Sequence, residues 1–77
     1  MIEIDRMECL ERLGRAIREK RTEKKYTQKQ MCEMIGLTSQ GFYSEIENGQ
    51  KDADFVIVVK ICRILDIDLN AIVASYV

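Results

Sequence analysis

Apolar residues recur at three- and four-residue steps along most of the chain, and their phase breaks at short polar or glycine-containing joints. Met7, Leu10, Leu13 and Ile17 form the first series and predict a helix over about 6–24. Asp5, with Glu8 three residues later, offers it a capping box. The segment is acidic at its start and basic at its end, as the helix dipole favours. Met31, Cys32, Met34 and Ile35 make one face of a second helix over 28–35. Thr27 and Gln30 form its capping box, and Tyr26 and Met31 sit where a hydrophobic staple closes over the cap. A third helix over 39–48 begins at Thr38 or Ser39, buries Phe42 or Tyr43 together with Ile46, and stops where Gly49 takes the left-handed conformation.

The fourth helix, 55–65, is capped by Asp54 or Asp52 and is apolar nearly all round. Phe55, Val58, Cys62 and Leu65 make one face, and Val56, Ile57, Ile61 and Ile64 spread to others. Such a helix is expected to be buried on more than one side, with the remainder an exposed patch for a second subunit. Asp68 caps a short fifth helix over 69–74, with Ile67 and Ile72 as its staple. The apolar end of the chain either folds back on the core or forms a dimer contact. The candidate dimer patch is Ile72, Val73, Tyr76 and Val77.

Composition narrows the class. The 77 residues hold no proline or tryptophan and only four glycines, so the expected fold is all-α, one small helical domain over 1–77. The three cysteines, Cys9, Cys32 and Cys62, are far apart, and the chain has no histidine, so neither a zinc site nor a cofactor is expected. With no histidine, no glycine-rich phosphate loop and no base to activate a thiol, an enzyme is not expected either. The start of the chain lacks the form of a signal peptide. The longest apolar run, Phe55 to Val59, is far short of the ~20 residues that span a bilayer. The expectation is a cytoplasmic protein that does not enter the membrane.

The net charge of −1 conceals a strong segregation. Residues 1–11 carry −3, residues 12–29 carry +6, and residues 30–77 carry −4. A basic face beside an acidic one can meet a polyanion on one side and resist non-specific association elsewhere. Arg21 continues the apolar series of the first helix, where a lone charge would be costly, so it needs a buried partner.

The order and spacing of these features resemble the lambda-repressor/Cro-like, or XRE-type, helix-turn-helix family. The resemblance covers about Leu13 to Val73. It rests on Leu13-Gly14-x-x-Ile17-Arg18-x-x-Arg21, on Tyr26-Thr27-Gln28-x-x-Met31-Cys32-x-Met34-x-Gly36, on Ile46-Glu47-Asn48-Gly49, and on Phe55-x-x-x-x-Lys60-Ile61-Cys62-x-x-Leu65-x-Ile67-Asp68-Leu69. It implies a compact five-helix lambda-repressor-like domain in which helices 2 and 3 bind double-stranded DNA, with helix 3 in the major groove. It also implies that Arg21 pairs with Glu47 across helices 1 and 3.

On that footing Gln28, at the first position of helix 2, is expected at a phosphate, where free amides and the helix dipole attract an anion. Ser39 and Gln40 open the reading helix, and a glutamine there can contact adenine. Tyr43 or Ser44 follows one turn on. Lys51, Lys25 and Lys29 suit phosphate contacts. Gly36 to Gly49 counts fourteen residues, one more than the family's common spacing, which leaves the register of helix 3 open. If Tyr43 and Ile46 hold the core, Gln40, Gly41, Ser44 and Glu45 face outward; if Phe42 replaces Tyr43, the outward set turns by about 100°. Glu45 there either accepts from cytosine or repels phosphate.

The functional expectation is a sequence-specific transcriptional regulator, a repressor binding a pseudo-palindromic operator as a homodimer. The alternative is a helix-turn-helix fold used for protein contact, antitoxin- or antirepressor-like.

Overall fold

A computed structural model describes residues 2–74 of the chain. Among these, five helices and no strands are formed: α1 (Arg6–Glu23), α2 (Gln28–Ile35), α3 (Gln40–Glu47), α4 (Phe55–Leu65) and α5 (Leu69–Ala74). Each start has a local cause. The side chains of Asp5, Thr27, Ser39 and Asp54 accept from the amides of Glu8, Gln30, Phe42 and Ile57, respectively. The Asp68 carboxylate accepts from the Asn70 amide at the start of α5. Thr27 and Gln30 bond reciprocally, which satisfies two amides that the helix leaves without partners. Ser39 therefore starts α3 rather than Thr38, and Asp54 rather than Asp52 starts α4.

The first four helices stop in the same way. A residue in the left-handed conformation follows each, and the next residue's amide reaches back to the carbonyl five positions earlier. Gly36 and Gly49 serve α2 and α3, with Leu37 N–H to Cys32 O and Gln50 N–H to Glu45 O, 2.9 and 2.8 Å. Lys25 and Asp66 serve α1 and α4, with Tyr26 N–H to Arg21 O and Ile67 N–H to Cys62 O, 3.1 and 3.0 Å. Tyr26, Leu37 and Ile67, the residues after three of these stops, pack against the core. Three of the four stops thus turn the chain and also insert an apolar side chain.

The core is Ile17, Met31, Cys32, Ile35, Tyr43, Ile46, Ile61 and Leu65, with Leu13, Phe42, Ile57 and Ile64 packed around it. Both α1 and α2 pack on α3 and on α4. Gly14 sets a close approach between α1 and α3. A Cβ there would lie 2.3 Å from the Glu47 carbonyl oxygen and 2.7 Å from that of Ile46. Only a glycine lets α1 cross the end of α3 at this distance. Lys60 adds a tie between α4 and α2, its ammonium donating to the Ile35 carbonyl at 3.2 Å.

Three assignments made from periodicity change. Phe55 is 72% exposed, because the buried stripe of α4 runs through Ile57, Ile61, Ile64 and Leu65 and Phe55 lies about 160° round from Ile57. Val56 and Val59 are exposed with it. Met34 is exposed for the same kind of reason, about 110° from the centre of the Met31–Cys32–Ile35 stripe. Met7 is 68% exposed, at the edge of the α1 stripe and in its first turn.

Substituting Gly14→Ala tests the close crossing. Alanine favours a helix by about 1 kcal/mol over glycine, but the clash is with backbone and has no flexible way out. A net destabilisation of about 1–3 kcal/mol is expected in urea unfolding. Stability at or above wild type would show that α1 and α3 do not need this approach.

Candidate nucleic-acid interface

The site begins at a buried carboxylate where α1, α2 and α3 meet. Glu47 is the last residue of α3, and its side chain has no solvent exposure. Arg21, which is 14% exposed, donates Nε to Glu47 Oε2 at 2.6 Å and Nη2 to Oε1 at 3.1 Å. The third nitrogen of that guanidinium, Nη1, bonds the Tyr26 carbonyl at 2.9 Å, inside the turn that leads to α2. Gln28 Nε2 donates to Glu47 Oε1 at 3.2 Å, and Arg18 Nε approaches it at 3.5 Å. Arg18 also donates to the Asn48 side-chain oxygen. The planar fork of Arg21 suits a bidentate carboxylate contact that a lysine would not reproduce.

Burial would push the Glu47 carboxyl up. The hydrogen bonds from Arg21 and Gln28, with the nearby Tyr43 hydroxyl and the Arg21 charge, outweigh it and hold the group below the ordinary carboxylate range. The Arg21 guanidinium is raised in turn, chiefly by its hydrogen bond to Glu47. Burial, then Glu47, pushes the Tyr43 hydroxyl well above the usual tyrosine range. That hydroxyl lies outside strict hydrogen-bond geometry and is buried without a partner among the described residues.

The candidate contact residues divide by location. Gln28 opens α2, its side chain turned onto Glu47. The amides of the first turn of α2, apart from that of Gln30 taken by Thr27, point along the free end of the helix. Lys29 beside it is exposed, as is Gln40 at the first position of α3. Ser39 is exposed, but its hydroxyl serves as the cap. Ser44 is half-buried on the same side of α3 as Gln40, four residues apart. Lys51 is half-buried, with its ammonium 3.8 Å from the Glu45 carboxylate and 5.6 Å above the centre of the Phe42 ring. Tyr43 is set apart from these residues. It is fully buried, and with Ile46 it forms the core side of α3. The register left open by the spacing is therefore the one that places Gln40, Gly41, Ser44 and Glu45 outward.

The basic run of α1 is less available than its charge suggests. Arg18 and Arg21 belong to the Glu47 cluster, Arg12 pairs with Glu8, Lys20 with Glu23, and Lys24 with Asp66. Arg15, Lys25 and Lys29 have no ion-pair partner among the described residues. The exposed pairs are weak, whereas the Arg21 pair is largely buried. Periodicity and charge counting missed Arg18 and Asn48 as members of the cluster. The signal available for Arg18 was its place one turn before Arg21, on the side of α1 nearest Glu47.

Of the candidate dimer patch, Ile72 is half-buried and Val73 is exposed, while Tyr76 and Val77 lie outside the described residues. Ile72 and Val73 line an apolar groove of about 420 Å³ with Ile2, Ile4, Cys9, Leu13 and Leu69. Cys9, Cys32 and Cys62 are free thiols, and among the described residues no cluster of ligating side chains is arranged to hold a metal ion. No helix of the described residues is long and apolar enough to cross a membrane.

A family model described as helix-turn-helix matches residues 17–72. Among solved structures, the chain is similar to the clp gene regulator ClgR from Corynebacterium glutamicum, at 26% identity and a TM-score of 0.76, over 88% of this chain and 71% of that one. It is also similar to the restriction-modification controller protein C.AhdI from Aeromonas hydrophila, at 28% identity and a TM-score of 0.71, over 82% of this chain and 94% of that one. No curated protein matches the chain.

The buried carboxylate makes a pH prediction. Because the folded protein holds Glu47 below its ordinary value of 4.5, its ionised form contributes stability that is complete above that pH. The contribution is lost as pH falls through the lower folded-state value. Urea unfolding of wild type and Glu47→Gln from neutral pH down to about pH 2 is expected to give a stability gap that is widest near neutrality and narrows in acid. A gap that does not change with pH would remove the Glu47 charge from this role.

Proposed function

The chain belongs to the XRE-type helix-turn-helix family of transcriptional regulators and has its lambda-repressor-like fold, and on that premise we propose that it is a repressor that reads an operator with α3 in the major groove. The observation that carries the reading is the outward N-terminal turn of α3. Gln40 and Ser44 are displayed there, while Tyr43, Ile46 and Glu47 anchor the opposite side. Gln40 is the base-reading glutamine, able to bond both N6 and N7 of adenine. Ser44, one turn on, reaches base or sugar, and Ser39 supports the turn as its cap. The first turn of α2, with Gln28 and Lys29, takes a phosphate through backbone amides and positive charge. Lys51 lies close enough to the reading helix to join the phosphate contacts.

One module of this size buries too little surface for tight operator binding, so the functional unit is a homodimer on a pseudo-palindrome with half-sites about one helical turn apart. The groove lined by Ile2, Ile4, Leu69, Ile72 and Val73 supports a contact between copies at α5. The same groove is the one observation that favours the second reading, a helix-turn-helix module acting by protein contact.

Titration of the protein against DNA upstream of its own gene, with footprinting at two salt concentrations, tests the proposal. Binding should be sequence-specific, protect two half-sites, and weaken steeply with salt. Gln40→Ala should lose about 1–3 kcal/mol and relax preference at one base pair, whereas Lys29→Ala should weaken binding to all sequences and lower the salt slope by about one. Binding that ignores both sequence and salt would contradict the proposal. Biological activity that survives Gln40→Ala and Lys29→Ala but is lost in Val73→Asp would establish protein contact instead.

A further inference from the structure

The outward face of α3 contains two residues that the core does not use. Gly41 is helical, and a Cβ added to it would meet only the Ser39 hydroxyl, at 3.6 Å. Neither fold nor backbone conformation calls for glycine there, and glycine weakens a helix relative to alanine. Glu45 lies four residues on, so the two share one stripe of the helix. Its half-buried carboxylate is an acid on the face that the family presents to a polyanion.

The surroundings of Glu45 are built. The Glu45 backbone carbonyl accepts from the Gln50 amide at 2.8 Å, which fixes the loop that carries Lys51 against α3. The Lys51 ammonium sits 3.8 Å from Glu45 Oε2 and stacks over the Phe42 ring, 5.6 Å from its centre. Phe42 in turn packs on the core. The ammonium is thereby held between ring and carboxylate. It offsets the repulsion that Glu45 would otherwise meet near phosphate, and it limits the rotamers of Glu45. An ionised carboxylate only accepts hydrogen bonds. In the major groove it is repelled by guanine O6 and N7 and by thymine O4, and adenine places N7 beside its single donor. Cytosine itself presents only the N4 donor on that edge and no acceptor.

Resting on the DNA-reading function above, we propose that the Gly41–Glu45 stripe selects cytosine: Gly41 lets the base-pair edge come close to the helix backbone, Glu45 accepts from cytosine N4, and Lys51 is the positioning residue that holds the carboxylate. Lys51 then acts on specificity as well as on phosphate affinity.

Selection from a random duplex pool, followed by affinity measurements on the enriched site, tests this with wild type, Glu45→Gln, Lys51→Met and Gly41→Ala. Wild type should enrich a half-site with one position at which cytosine is preferred about ten-fold or more. In Glu45→Gln that preference should collapse or turn to adenine, with the other positions unchanged and non-specific binding raised. Lys51→Met should weaken preference at the same position, beyond a uniform loss of affinity. Gly41→Ala should be at least as stable as wild type but bind the enriched site at least several-fold more weakly.

If wild type enriches no sequence, the DNA-reading function fails and this inference with it. If wild type enriches a site and Glu45→Gln leaves its base preferences intact, or strengthens binding to all sequences alike, the cytosine assignment is overturned and DNA reading stands. Unchanged affinity in Gly41→Ala would show that the stripe does not enter the groove, which overturns it as well.

Discussion

A carboxylate with no access to solvent organises this protein. Removing Glu47 from water costs several kcal/mol, and only a full set of donors offsets that cost. The donors come from two places: Arg21 and Arg18 on α1, and Gln28 at the head of α2. Between them they tie α1 and α2 to the end of α3. Arg21 also holds the Tyr26 carbonyl, so one guanidinium fixes both the end of α3 and the turn into α2. The backbone takes part too, because the Glu47 carbonyl occupies the space that a side chain at Gly14 would need. Hydrophobic replacement of such a cluster could match its stability. What apolar packing would not supply is a directional clamp that sets the angle and rotation of α3 relative to the start of α2.

That rotation decides which residues face outward. With Tyr43, Ile46 and Glu47 inside, α3 displays Gln40, Gly41, Ser44 and Glu45. The outward set and the clamp are two sides of one eight-residue helix. The first turn of α2 is held against the same carboxylate through Gln28. Membership of the XRE-type family gives this geometry its context, because a regulator of that kind needs a rigid reading helix and an anion-accepting helix start in fixed relation. The paired surface charges around α1 leave Lys29, Lys25 and Arg15 as the cations of the basic run, residues 12–29, with no ion-pair partner among the described residues.

Much of the architecture was legible in the sequence because its signals are local. Asp5, Thr27, Asp54 and Asp68 announce helix starts by residue type, and Gly36 and Gly49 announce stops. The sequence pattern places the ends of α1 and α4 near residues 24 and 65, but not the left-handed turns at Lys25 and Asp66, a conformation that Lys rarely and Asp only occasionally adopts; the apolar residue behind each, Tyr26 or Ile67, packs on the core. The α4 stripe was misread because almost every position of that helix is apolar, so periodicity has little contrast. Phe55, the largest of those residues, turned out to face solvent. The choice between Phe42 and Tyr43 is likewise tertiary. Both pack against the core, but only Tyr43 is enclosed by it, next to the cluster that Arg21 and Glu47 form. The pairing partners of the basic run depend on which helices meet, which charge counting along the chain does not contain.

A double-mutant cycle on Arg21 and Glu47, read as unfolding free energy, tests most directly whether this clamp holds the structure together. Arg21→Met or Glu47→Leu alone strands a charge or unpaired donors in the interior, and each is expected to cost about 3–5 kcal/mol. The double variant should be far less destabilised than the sum of the two, with a coupling energy of at least about 2 kcal/mol. Losses that add would contradict it, and would place the burial of Glu47 among the incidental features of the fold.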